Sequence, residues 1–124
     1  MRVLIIDDDK LILKAMSRQL QSKGFEIVTA ETLQEAQLAF HTNPDFFAIL
    51  FDGILDKMGT TTLALIAEIK KTFQGHMIAM SNNDRMRPKQ MAAGCTHEVE
   101  DKSHTPKLVT DLAQSEQRRM TWSS

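Results

Sequence analysis

The chain has 124 residues and a formal net charge of −1, with 42% hydrophobic and 25% charged residues. This length and composition are typical of one globular domain with its own hydrophobic core. The net charge is too small to attract DNA or an anionic membrane surface. The single cysteine, Cys95, excludes a disulfide within the chain and favours a cytoplasmic location.

The sequence alternates strand and helix patterns five times. Five short runs predict strands: residues 3–6, 25–30, 46–52, 77–80 and, by position more than by composition, 96–101. Helical spacing follows each run: Leu13–Leu20, Leu33–Phe40, Leu63–Phe73, a short segment up to Gly94, and Leu108–Ala113. The first run is too short for a signal peptide or a membrane span.

Polar residues mark where several helices are expected to begin. Asp9 is predicted to cap the first helix, and residues 32–35 form a capping box for the second. Asp84 is predicted to cap the fourth helix. Thr105 is predicted to cap the fifth, with Pro106 as its first helical residue. We interpret residues 1–118 as one domain and residues 119–124 as a flexible C-terminal tail.

This alternation predicts a single parallel sheet with helices on both faces. The most common five-stranded solution is the doubly wound order 2-1-3-4-5, in which the first and third strands are neighbours. Asp7 and Asp8 follow the first strand, and Asp52 ends the third. The carboxyl ends of these strands should therefore bring the three aspartates together.

Three converging carboxylates repel one another, and a hard divalent cation resolves the conflict. An oxygen-only ligand set suits Mg²⁺, which would also let a phosphoryl group approach Asp52 as a nucleophile. Ser81 follows the fourth strand and can donate a hydrogen bond to a phosphoryl oxygen. Lys102 follows the fifth strand and can pair with another such oxygen.

This combination resembles the receiver domain of two-component response regulators, over residues 2–117. The matching residues lie at the ends of predicted strands: Asp7, Asp8, Asp52, Ser81 and Lys102. The resemblance implies a flavodoxin-like fold in which Asp52 is phosphorylated by a sensor histidine kinase or a phosphotransfer protein. Ser81 would then be the hydroxyl that follows the phosphoryl group, and Lys102 the conserved-type lysine of the site.

The resemblance also implies a set of ligands for Mg²⁺. Asp8 would be a direct ligand, together with Asp52, and Asp7 would act mainly through water. The backbone carbonyl of Ile54 would be a further ligand. The output surface would be the last two helices and the edge strand between them, contacting a downstream protein. No direct contact with nucleic acid or membrane is expected, and a homodimer stays open.

The sequence departs from the family pattern around the site. Asp56 stands where a proline is usual, and Ser103 follows the lysine where a proline is usual. The fifth strand lacks the aromatic that couples to the hydroxyl in the family; residues 98–100 are Glu-Val-Glu. The basic residues Arg85, Arg87 and Lys89, together with Arg118 and Arg119, could contact an acidic partner, but a solvated face is the favoured interpretation.

Three hypotheses follow from these observations. The first is a phosphorylation-controlled switch that is no enzyme beyond its own phosphorylation and dephosphorylation, either alone or as part of a longer hybrid chain. The second is a binding module that acts without phosphorylation. The third is a phosphohydrolase with an aspartate nucleophile, which is disfavoured because Ile54, and not a second aspartate, stands two residues after Asp52.

Overall fold

The computed structural model describes the backbone of residues 1–123 and the side chains of residues 1–120. Within these residues, strands and helices alternate, and a 3-10 turn at Lys102–His104 precedes the last helix. The strands are β1 Arg2–Ile6, β2 Glu26–Ala30, β3 Ala48–Phe51, β4 His76–Ala79 and β5 His97–Glu98. The helices are α1 Lys10–Gln21, α2 Leu33–Thr42, α3 Leu63–Lys70, α4 Met86–Ala93 and α5 Thr105–Ser123.

The five strands form one parallel sheet in the order β2-β1-β3-β4-β5. The predicted doubly wound architecture with five helices is therefore confirmed. Strand β1 lies between β2 and β3, with Ile6 opposite Ala30 on one side and Phe51 on the other. The strand order reverses between β1 and β3, which is where open α/β sheets place their ligand crevice.

The sheet separates two hydrophobic layers because successive side chains of a strand point to opposite faces. Leu4 and Ile6 of β1 pack on one face with apolar residues of α2, α3 and α4. Val3 and Ile5 pack on the other face with α1 and α5. Strand β1 is thus buried on both sides, which explains its continuous apolar run.

The first two helices begin where the sequence predicts. The Asp9 carboxylate caps α1 and accepts hydrogen bonds from two backbone N–H groups of the first turn, at 2.9 and 3.3 Å. Thr32 caps α2, and its hydroxyl accepts from the backbone N–H of Glu35 at 3.1 Å. The Glu35 carboxylate completes the box at the N–H of Glu31 (2.7 Å), one residue before the position that the motif predicts.

The cap predicted at Asp84 is wrong. Helix α4 has Arg85 at its N-cap position, and the side-chain oxygen of Asn83 accepts from the N–H groups of Arg85 (2.9 Å) and Met86 (3.3 Å). Asp84 instead forms an ion pair with Arg87. Arg87 is itself buried, so the solvated basic face predicted for residues 85–89 is also wrong at this position.

The region around β5 also differs from the sequence prediction. Strand β5 has only two residues, in place of the predicted 96–101, because Val99 is the one strongly apolar side chain in that segment. Asp101 caps the 3-10 turn by accepting from the N–H of Ser103 at 2.9 Å. The turn therefore starts the helical segment early, and Thr105 is already inside α5 and not its cap.

Helix α5 continues to Ser123, past the domain boundary predicted at residue 118. Part of the predicted tail, 119–124, falls outside the described residues, which include neither Ser124 nor the side chains from residue 121 onward. The division into domain and tail stays a prediction. None of the helices in the described part of the chain is both long enough and apolar enough to cross a bilayer.

Candidate functional site

The aspartates that follow β1 and β3 meet at the carboxyl edge of the sheet. Asp7, Asp8 and Asp52 each offer a carboxylate oxygen, and these oxygens lie within 4.8 Å of one another. The pairing of Ile6 with Phe51 sets this arrangement, because it places the residues that follow the two strands side by side. Asp7 and Asp52 are buried, whereas Asp8 is exposed at the mouth of the cluster.

Lys102 bridges the two buried carboxylates. Its ammonium lies 2.7 Å from Oδ2 of Asp7 and 3.0 Å from Oδ1 of Asp52. The Asp7 side chain is fully buried, so this ammonium is its direct charge compensation. Three carboxylates and one ammonium leave the cluster with a formal charge of −2 when all are ionised.

Burial and the neighbouring charges both shift the pKa values of Asp52 and Lys102. Burial raises the pKa of Asp52, as does the neighbouring Asp7, while Lys102 and the N–H of Gly53 act in the opposite direction. Burial alone would lower the pKa of Lys102, but its hydrogen bonds and the charges of Asp7 and Asp52 raise it. The lysine is therefore held as a cation, whereas the buried Asp52 carboxylate carries an energetic cost when it is ionised.

Ser81 packs directly against the peptide that follows Asp52. A Cβ atom added at Gly53 would lie 2.7 Å from Oγ of Ser81 and 2.3 Å from Cγ of Met86, so only glycine fits there without displacement. Ser81 is buried, and its Oγ accepts from the N–H of Asn83 at 3.1 Å. The hydroxyl thus lies beside the residue that follows Asp52, and no hydrogen bond from it to another of the described residues is present.

The loop after Asp52 is folded onto itself. Ile54 forms an antiparallel bridge with Thr61, and its carbonyl as a metal ligand stays a prediction. Asp56 accepts hydrogen bonds from the N–H groups of Met58 (3.0 Å) and Thr60 (2.9 Å), and the Thr60 contact lowers the pKa of Asp56. Asp56 therefore shapes this loop and is not part of the cluster of acids that could hold a metal ion.

The backbone at Lys102 and Ser103 is held in place by two side chains. Asn82 accepts from the backbone N–H of Lys102 at 3.3 Å, and Asp101 caps the 3-10 turn at Ser103. This turn replaces the proline that usually follows the lysine, so the departure at Ser103 still leaves Lys102 directed into the site.

Two polar residues behind the acceptor were missed by the sequence analysis. Thr62 and Gln90 are fully buried. The Thr62 hydroxyl donates to the carbonyl of Asp52 at 2.6 Å, and Nε2 of Gln90 donates to the carbonyl of Phe51 at 3.0 Å. No spacing motif signals them, since they lie 10 and 38 residues after Asp52 and meet it only in the fold.

Arg87 is buried in the structure, whereas the sequence analysis expected it on a solvated face. Its Nη1 donates to the carbonyl of Ser81 at 2.9 Å and to the carbonyl of Glu100 at 3.4 Å. It therefore connects the start of α4 to the segment that carries Lys102. A hydrophobic stem and a fork of donors allow arginine to bridge two backbone carbonyls in a buried position.

The donor set of the cluster fits a hard divalent cation. The three acidic side chains offer carboxylate oxygens, and their formal charge of −2 after pairing with Lys102 balances the +2 charge of Mg²⁺. The exposed position of Asp8 leaves one side of the cluster open to water and to a phosphate oxygen.

The fold and this site together define a class of protein, namely a doubly wound α/β domain with an acid cluster and a lysine at the point where the strand order reverses. A family model described as the response regulator receiver domain matches residues 3–113. The chain belongs to this family, as the resemblance predicted. No curated protein sequence gives a significant match to the chain.

Solved structures share this fold over nearly the whole chain. A two-component response regulator from Clostridium difficile aligns with a TM-score of 0.80 at 22% identity, covering 97% of this chain and 98% of that one. A CheY-like receiver domain protein from Methanospirillum hungatei gives 0.72 at 23%, covering 99% and 98%. The BeF3-activated DrrB receiver domain gives 0.71 at 22%, covering 92% and 94%. At these identities, the likeness concerns the fold alone.

Proposed function

We propose that Asp52 is a phosphoacceptor that switches the protein contacts of this domain in a two-component phosphorelay. The observation that carries the proposal is the buried pairing of Asp52 and Asp7 with Lys102, beside the exposed carboxylate of Asp8. A packed domain does not need three acids and a lysine at this edge of the sheet for stability, because buried ion pairs contribute little net stabilisation. A charged ligand that binds there accounts for all four residues.

The chemistry is the transfer of a phosphoryl group from a phosphohistidine. A carboxylate oxygen of Asp52 forms a bond to phosphorus, and the P–N bond to the donor imidazole breaks. The electron pair of that bond stays on the imidazole nitrogen, which takes up a proton. The product is an acyl phosphate on Asp52 and a neutral histidine on the donor.

Different residues of the site would compensate different negative charges during the transfer. Mg²⁺ bound by Asp7, Asp8, Asp52 and the Ile54 carbonyl would neutralise charge on the acceptor and on the incoming oxygens. The Lys102 ammonium, 3.0 Å from Oδ1 of Asp52, would pair with an oxygen of the transferred group. The Ser81 hydroxyl, which lies against Gly53, would donate to another.

Two structural neighbours are named as BeF3-activated receiver domains, namely DrrB and RstA from Klebsiella pneumoniae. Their activation by this compound supports the proposal for the present chain, because it belongs to the receiver-domain family and carries an acid cluster that could hold a metal ion. We infer that the phosphodonor is a sensor histidine kinase or a phosphotransfer protein and that the domain acts in the cytoplasm. The output is contact of α4, β5 and α5 with a downstream protein or a second copy, with no direct contact to nucleic acid or membrane.

Incubation with acetyl phosphate and Mg²⁺, followed by intact mass spectrometry, tests this function. The wild-type protein should gain the mass of one phosphoryl group, and the gain should be absent from Asp52→Asn and from wild type in EDTA. Turnover of many equivalents of phosphodonor would instead indicate a phosphohydrolase.

A second candidate function is a binding module that acts without phosphorylation. It is favoured by one observation, namely that Arg87 and not an aromatic residue connects Ser81 to the β5 segment. Wild-type protein that takes up no phosphoryl group and binds no beryllofluoride would support this alternative.

A further inference from the structure

Asp52 makes the last hydrogen bond between the third strand segment and β1, since its N–H donates to the carbonyl of Ile6 at 2.9 Å. The next two carbonyls along the chain are held by one residue outside the sheet. The Thr62 hydroxyl donates to the carbonyl of Asp52 at 2.6 Å, and the N–H of Thr62 donates to that of Gly53 at 3.1 Å. Thr62 therefore sets the tilt of the Asp52–Gly53 peptide.

The tilt of this peptide sets the direction of the acceptor carboxylate. The N–H of Gly53 donates to Oδ1 of Asp52 at 2.8 Å, the same oxygen that lies 3.0 Å from the ammonium of Lys102. Rotation of the peptide would thus move this oxygen or break one of its two contacts. The hydrogen bond from the Thr62 hydroxyl to the Asp52 carbonyl is in this way connected to the orientation of the candidate nucleophile.

Gln90 of α4 orients Thr62 in turn. Its Nε2 lies 3.0 Å from the carbonyl of Phe51 and 3.3 Å from Oγ1 of Thr62. Because a carbonyl only accepts, the amide nitrogen of Gln90 must face Phe51. The hydroxyl proton of Thr62 is committed to Asp52, so its oxygen accepts from Gln90. The chain of hydrogen bonds therefore has one direction, from α4 through Thr62 to the acceptor.

The glutamine is a poor choice for stability alone. Its Oε1 is buried and has no hydrogen-bond partner among the described residues. An unpaired buried acceptor loses its hydration without compensation, whereas a methionine of similar shape would have no such atom. The gain that offsets this cost must come from the two donor contacts of Gln90 to the end of β3 and to Thr62.

We propose that Gln90 and Thr62 form a positioning pair through which α4 sets the orientation of Asp52, and hence its rate of phosphoryl uptake. This inference rests on the proposed function and names its regulation. Thr62 and Gln90 donate to the backbone carbonyls of Asp52 and Phe51, so both act on the carboxylate through the backbone. Since α4 belongs to the proposed output surface, a partner that displaces α4 would change the rate of phosphoryl uptake at Asp52. If that partner also changes the phosphorylation equilibrium, phosphorylation changes the partner's affinity by the same equilibrium factor.

The test compares conservative variants in phosphorylation by acetyl phosphate with saturating Mg²⁺. Thr62→Val removes the hydroxyl and keeps the shape, whereas Thr62→Ser keeps the hydroxyl. Gln90→Met removes both donor contacts and the unpaired oxygen. Thr96→Val is the matched control, because the Thr96 hydroxyl makes two hydrogen bonds to the backbone of Met77 near the opposite end of the sheet. Urea unfolding of each variant separates stability from reactivity.

Thr62→Val should lower the rate constant of phosphoryl uptake about tenfold, the factor for roughly one hydrogen bond. Gln90→Met should lower it by about threefold to tenfold, with little loss of stability. The double variant should be no slower than the worse single variant, since the two residues act in one chain. Thr62→Ser should stay within about twofold of wild type, and Thr96→Val should lose stability with an unchanged rate.

A readout without any phosphodonor is amide hydrogen exchange at Gly53. Its N–H should exchange faster in Gln90→Met and Thr62→Val, and at the wild-type rate in Thr96→Val. If wild type takes up the phosphoryl group, and both variants match it in uptake rate and in Gly53 exchange, the positioning role of Gln90 and Thr62 is overturned while the proposed function stands. Wild-type protein that takes up no phosphoryl group would overturn the proposed function and, with it, this inference.

Discussion

Removal of the Lys102 ammonium is the perturbation that tests the charge balance of the site most severely. In Lys102→Met the side chain keeps most of its length and apolar surface, but Asp7 and Asp52 lose their shared partner. The Asp7 side chain is 0% exposed and that of Lys102 is 12% exposed, so solvent cannot replace the lost contact. Removal of one partner from such a buried pair costs about 3–5 kcal/mol.

The chain offers a matched control at its surface. Lys107 and Asp111 form an ion pair of 2.9 Å with side chains that are 81% and 54% exposed. An exposed pair of this kind contributes about 0–1 kcal/mol, so Lys107→Met should leave the free energy of unfolding nearly unchanged. Urea unfolding of the wild type and both variants at neutral pH, without divalent ions, measures the difference.

Mg²⁺ and pH should both reduce the deficit of Lys102→Met. A free Mg²⁺ concentration of about 100 times the Kd stabilises a protein by about 2.7 kcal/mol. The variant should gain more stability from Mg²⁺ than wild type does, because its cluster carries one more negative charge. Lys102 acts to lower the pKa of Asp52, so its removal raises that pKa further. A raised carboxyl pKa destabilises the fold increasingly as pH rises, and the deficit should therefore shrink as pH falls. A deficit equal to that of Lys107→Met, insensitive to Mg²⁺, would refute this electrostatic reasoning.

Three further predictions concern single side chains. Burial and Asp7 raise the pKa of Asp52, so the stability of wild type falls as pH rises through that pKa. Asp52→Asn should therefore be more stable than wild type at neutral pH without Mg²⁺. Urea unfolding at a series of pH values should show this difference vanish in acid. Gly53→Ala places a Cβ against both Met86 and Ser81 and should cost about 1–3 kcal/mol; a double variant with Met86→Ala should recover only the part due to Met86. Burial raises the pKa of Cys95 to about 12, so iodoacetamide should label it only after unfolding, as mass spectrometry can show.

The strand order and the meeting of the three aspartates were predictable because they follow from local patterns. Buried strands such as residues 3–6 read as continuous apolar runs, and parallel crossovers leave few orders for five of them. Asp7 and Asp52 directly follow strands, so the order of the sheet alone places them together.

Features that depend on side chains from distant elements could not be predicted. Gln90 reaches the carbonyl of Phe51, 39 residues away, and an isolated glutamine in a helix carries no sign of such a contact. Arg87 appeared to belong to a solvated basic face, yet it is buried because two carbonyls accept its donors. The caps at Asp84 and Thr105 failed for a local reason, since the side chains of Asn83 and Asp101 accept from the N–H groups that open these helical segments.

A titration with beryllofluoride and Mg²⁺, followed residue by residue by NMR, tests most directly the claim that the acid cluster makes Asp52 a phosphoacceptor. The account predicts saturable shifts at Asp7, Asp8, Asp52, Ser81 and Lys102 that require both components and are abolished by Asp52→Asn. Spectra of the wild-type protein that stay unchanged with both components present would contradict it.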